Sequence, residues 1–224
     1  ITCADDTGMK RFVCWLIITF ALTASARADE WWAWSWLEFW QQPGRSAGVF
    51  LANREDTEDG PYTQLVSPRY KQELLPWLDS GIGLSVLNLE NTVSNERHWQ
   101  LRPELELNPH LELTPHLRID WRNRMEWPWN EEESLKAGRF RHRIQLGWTL
   151  PHAIGPWTRL FVSNEWLVNV DRGQCTENRV VPLGLTFKAG KRADLDVFYM
   201  IDSIMPKETW IHESVIGTYL RVRF

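Results

Sequence analysis

Residues able to do chemistry in this chain are charged ones, and they recur at every second position in several separate stretches. Arg102, Asp120, Arg143 and Glu165 are the members whose signs alternate from one stretch to the next. If adjacent stretches pair symmetrically about their turns, Arg102 is predicted to face Asp120, Asp120 to lie near Arg143, and Arg143 near Glu165. Inside a narrow barrel, whose interior side chains fill, that alternation would form a charge network. Arg122, Arg124, Arg139 and Arg141 form a surplus that the same register gathers toward one end. Like charges side by side require counter-ions, either Glu104, Glu106 and Glu126 or a bound anion. These four arginines are therefore the candidate anion site, as an anion-selective constriction or a site for lipid phosphate.

Catalytic and metal chemistry find less support. Ser163, Glu165 and His142 are near in sequence, but alternation turns His142 to the opposite face, and a nucleophile and its base must be within hydrogen-bond reach. The six histidines show no metal-ligand spacing such as H-E-x-x-H. Asp194, Asp196 and Asp202 span too much strand for one calcium ion, and Arg221 and Arg223 are their expected partners. No catalytic residue, metal or cofactor is assigned.

The elements that must carry these residues have a period of two, the signature of β-strands. In 98–107, Trp99, Leu101, Leu105 and Leu107 alternate with Gln100, Arg102, Glu104 and Glu106. In 117–127, Leu117, Ile119, Trp121 and Met125 alternate with Arg118, Asp120, Arg122 and Arg124. The pattern continues through 140–150, 158–170, 179–188 and 193–204. Earlier candidates lie at 30–42, 47–54, 62–74 and 81–90, with Trp32, Trp34, Trp36 and Trp40 on one face of the first. Pro68 and Pro103 fall inside strand candidates and are expected at bulges or strand ends. Strands this long, apolar on one side and charged on the other, predict an all-β, transmembrane, up-and-down antiparallel β-barrel. Eleven candidates and the even count of bacterial single-chain barrels give ten or twelve strands.

Composition agrees with this. The 224-residue chain carries a formal charge of −4, which gives no general affinity for nucleic acid. Its 15 tryptophans suit the aromatic girdles that barrels place at membrane interfaces. Met9-Lys10-Arg11, the apolar run Phe12–Leu22 and Ala26-Arg27-Ala28 read as a secretory signal peptide. Residues 1–28 are thus assigned to an upstream segment plus signal peptide, and 29–224 to one barrel. Cys175 is the one cysteine outside that leader, so no disulfide holds the barrel.

The final stretch, 210–224, alternates and ends on Phe224, with Val222 and Leu220 on the same face. It resembles the closing strand of Gram-negative outer-membrane barrels. Asn178-Arg179, Leu183-Gly184-Leu185-Thr186-Phe187, Asp196-Val197-Phe198-Tyr199-Met200 and Gly217–Phe224 together resemble an uncharacterised bacterial family, domain of unknown function 2490. Arg139-Phe140-Arg141-His142-Arg143 and Glu165-Trp166 fit the same pattern. The resemblance covers residues 62–224 and departs in the Trp-rich first third. It implies an outer-membrane barrel and supplies no catalytic residues.

The functional expectation is an outer-membrane barrel, structural or porin-like with a narrow, charge-filled lumen. Its expected partners are outer-membrane lipid and, through the last strand, the barrel-assembly machinery; no nucleic acid is expected, and the oligomeric state is left open. The alternatives are an outer-membrane lipid-modifying enzyme and a soluble exported barrel binding a small ligand.

Overall fold

In a computed structural model that describes residues 28–90, 96–130, 138–206 and 208–224, every regular element is a β-strand. They are β1 (Glu30–Gln42), β2 (Arg45–Asp56), β3 (Gly60–Leu75), β4 (Leu78–Glu90), β5 (Arg97–Thr114) and β6 (Leu117–Glu126). There follow β7 (Trp129–Asn130), β8 (Arg139–Ile154), β9 (Trp157–Asn169), β10 (Gln174–Lys188), β11 (Ala193–Ile204) and β12 (Ile211–Arg223). The predicted signal peptide lies outside the described residues, apart from Ala28.

Apart from β7, each strand pairs antiparallel with the next, β6 with β8, giving the expected up-and-down barrel. The count is twelve, but eleven strands form the closed wall. The twelfth, β7, continues β6 for two residues and pairs with β5. An odd wall leaves its first and last strands running the same way. Closure is accordingly parallel, from Glu30 beside Val215 to Glu38 beside Arg223. Pro68 and Pro103 stay within β3 and β5, both pointing outward, rather than at strand ends. Pro103 sits where the neighbour of β5 changes from β6 to β7, so its missing N–H falls at a break in the ladder.

The two ends of the barrel differ. Four two-residue turns, Pro43-Gly44, Pro76-Trp77, Pro115-His116 and Gly155-Pro156, lie at the end where the chain terminates. There Phe224 N–H donates to the Glu38 carbonyl at 3.0 Å. Connections at the other end are mostly longer, including 91–96, 127–138 and 205–210.

Side-chain phase follows the period of two. Val66, Ile82, Leu84, Leu105, Ile144, Leu146 and Val162 are exposed on the outer surface. Trp31, Trp99, Trp129 and Trp210 flank this belt at one end and Trp40, Trp77, Trp148 and Phe224 at the other. Trp32, Trp34 and Trp36 instead face the interior, so not every tryptophan serves a girdle. A bulge between Glu38 and Trp40 separates Trp40 from that face and sends it outward, stacked on Tyr70 at 6.2 Å.

One side of the interior is aromatic. Cross-strand pairing places Phe161, Gly184, Phe198, Gly217 and Trp32 in one row over β9, β10, β11, β12 and β1. Rings and glycines alternate because each ring needs the space its neighbour lacks. A Cβ on Gly184 would stand 2.1 Å from the Phe161 ring, and one on Gly217 2.1 Å from Phe198. With Val181, Met200 and Val215 these rings make the barrel's apolar core.

Candidate functional site: the charged lumen

The opposite side of the lumen, from β3 to β8, is lined by charge. On β4 the inward positions Gly81, Gly83 and Ser85 are small, and Arg69 of β3 reaches over them to β5. Its guanidinium lies 2.7 Å from Glu104 and 3.2 Å from Glu106. Arg124 of β6 meets the same pair from the other side, its Nε donating to Glu106 at 2.6 Å.

Glu126 is the hub. It is fully buried and accepts hydrogen bonds from Arg139 Nη2 at 2.6 Å and Arg141 Nη1 at 2.9 Å. Arg102 and Arg124 each approach it at 3.5 Å. Arg141 also grips Glu165 of β9 with two donors, at 3.0 and 3.1 Å. Glu165 is shared further with Arg122 and Arg179, and Arg179 continues the chain to Glu177 and to Asp202 of β11. Burying a charge is costly unless partners surround it, and here Glu104, Glu106, Glu126 and Glu165 each hold several.

The register explains why acids must flank the arginines. Arg122 lies directly opposite Arg143, and Arg124 opposite Arg141, across β6 and β8. Like charges facing one another are destabilising. Glu104 and Glu106 on β5, Glu126 within β6 and Glu165 on β9 compensate them.

The expected network is rearranged. Arg143 does lie opposite Glu165. Arg102 does not face Asp120: it lies toward Glu126, while Asp120 stands opposite His110 and Gln145 and pairs with Arg118 at 2.7 Å and Arg159 at 3.1 Å. The reason is that β5 runs through Pro109 to Thr114 instead of stopping at Leu107, which moves the hairpin axis. Arg122, Arg124, Arg139 and Arg141 come together as expected, each already paired with a carboxylate. Sequence reasoning passed over Arg69, Arg179, Lys71, Arg54 and Tyr219. Inward phase alone could have found Arg69 and Lys71, on alternate positions of β3.

Ser163, Glu165 and His142 do not assemble, since the His142 ring hydrogen-bonds Asn123 at 2.7 Å while Glu165 sits among arginines. Among the described residues, no group of three His, Cys, Asp or Glu is arranged to hold a metal ion.

One cavity of about 800 Å³ runs through this interior. Fourteen Arg and Lys residues line it against eight Asp and Glu, a surplus of cations along its wall. Toward the short-turn end the side chains open up: Asp120 is 28% and Arg118 38% exposed, against 2% for Glu104 and 3% for Arg179.

A solved structure described as "Bacterial polysaccharide outer membrane secretin" is similar at 10% identity and a TM-score of 0.49, over 84% of this chain and 78% of that one. A comparison with curated proteins finds no match. The family model described as "Protein of unknown function (DUF2490)" matches residues 23–211, which takes in the Trp-rich first third and stops before Gly217–Phe224. With most of its length matched, the chain belongs to that family.

Proposed function

We propose that the protein is an outer-membrane β-barrel whose charge-filled lumen acts as a narrow, anion-favouring channel. The observation that carries this reading is the division of its two surfaces. Apolar residues such as Leu146 and Val162 face outward between two sets of tryptophans, and arginines and acids face inward. In water this outer belt would be a large exposed apolar surface, whereas in a bilayer it is the surface required. Long connections then lie outside the cell and two-residue turns in the periplasm. Outer-membrane lipid covers the belt, and β12, ending on Phe224, is the segment offered to the assembly machinery.

The surplus of cations lining the cavity favours anions, while the ladder around Glu126 keeps the passage narrow. Cell fractionation and planar-bilayer recording test both parts. Recovery with the outer membrane and small, anion-selective conductance are expected. Recovery as a soluble periplasmic protein contradicts the location, and a large unselective conductance contradicts the narrow lumen.

A further inference from the structure

Tyr219, on β12, brings a cation to the aromatic wall. Its ring packs against Trp34 at 6.3 Å and Phe50 at 6.1 Å between centroids, and the Arg221 guanidinium lies 5.2 Å from its centre. The Arg69 guanidinium lies 4.8 Å from the centre of the Phe50 ring. All of these residues, together with Arg122 and Arg143, line the cavity of about 800 Å³.

Their states of pairing differ. Arg69 is held by Glu104 and Glu106, and Arg221 by Asp196. Arg122 binds Glu165 through Nη2, but its Nε is buried without a hydrogen-bond acceptor among the described residues. Arg143 faces Arg122 across the strand pair, and its own Nε is likewise buried without one. No carboxylate among the described residues forms an ion pair with Arg143, because Glu165, its cross-strand neighbour, is engaged by Arg122, Arg141 and Arg179. Two opposed guanidiniums with donors to spare suit an anion, and the rings that line the same cavity suit an apolar group attached to it.

Building on the proposed anion-favouring lumen, we infer that Arg143 and Arg122 bind the carboxylate of a small amphipathic anion whose apolar part lies against Trp34, Phe50 and Tyr219. Arg143 supplies the charge and carries little structural duty.

Isothermal titration calorimetry on the whole barrel in lipid nanodiscs, with protein-free nanodiscs subtracted, tests this with benzoate, benzyl alcohol and inorganic phosphate as probes. Saturable binding of benzoate is expected, with benzyl alcohol and phosphate each weaker. Arg143→Gln should lower benzoate affinity about tenfold, as expected when one charge-assisted hydrogen bond is lost. Phe50→Leu should weaken benzoate and leave phosphate unchanged, with the heat-dependent gel shift confirming that each variant is folded. Absence of saturable benzoate binding, an unchanged affinity in Arg143→Gln, or phosphate binding as tightly as benzoate would overturn the inference. Since binding is read without conductance, a site that binds in a barrel that does not conduct would refute the channel and keep the site.

Discussion

From β3 to β8 the lumen is filled by long charged side chains that reach over small residues, whereas from β9 through β12 to β1 it is filled by rings laid over glycines. Both walls solve the same geometric problem, that of packing side chains inside a closed wall around a cavity of about 800 Å³. They fail differently. A salt-bridge ladder depends on every partner, because one lost carboxylate takes a counter-charge from several buried cations at once. An aromatic-glycine row depends on space, and an added atom at a glycine has nowhere to go.

The largest expected effect lies at the hub of the charged wall. Glu126→Gln leaves Arg139, Arg141, Arg102 and Arg124 without their shared carboxylate, a loss on the order of 3–5 kcal/mol. Urea unfolding in lipid vesicles reads it directly. A change below about 1 kcal/mol would mean that the ladder is ornamental and that the aromatic wall holds the barrel.

A smaller effect is expected across the seam. Gly217→Ala drives a methyl group against the Phe198 ring and should cost about 1–3 kcal/mol by the same assay. Phe198→Leu in the same chain should recover part of that loss, since the two positions share one contact. Additive losses would break the account of rings packed over glycine. The smallest effect belongs where the two walls meet: Arg143→Gln should change stability by no more than about 0.5 kcal/mol, because no carboxylate depends on it. Destabilisation comparable to that of Glu126→Gln would make Arg143 part of the ladder.

Inward and outward phase was legible in the sequence wherever charge and aliphatic residues alternate. Arg102, Glu104 and Glu106 against Leu101, Leu105 and Leu107 leave one solution, and β5 adopts it. Phase was less legible where both faces are aromatic. Trp32, Trp34 and Trp36 satisfy an interface as well as a core, and a bulge at Phe39 flips the outcome at Trp40 without any mark in composition. Register was legible across β8 and β9, which placed Arg143 beside Glu165. It was lost across β5 and β6, because Pro109 and Pro115 look like terminators while only Pro115 lies in the turn. The parallel closure of an odd wall is a long-range property that no local pattern encodes. Glu126 was visible as one of three counter-ions, but its role as the hub follows from that same register.

The central claim, that lipid covers the outer surface, is tested most directly at Leu146, on the outer face of β8 and 38% exposed, beside Ile119 and Val162. Folding free energy of Leu146→Arg in lipid vesicles should fall by about 2–4 kcal/mol, the cost of an arginine facing the middle of a bilayer. A change within about 0.5 kcal/mol, as for an exposed residue in water, together with folding in the absence of lipid or detergent, would contradict it.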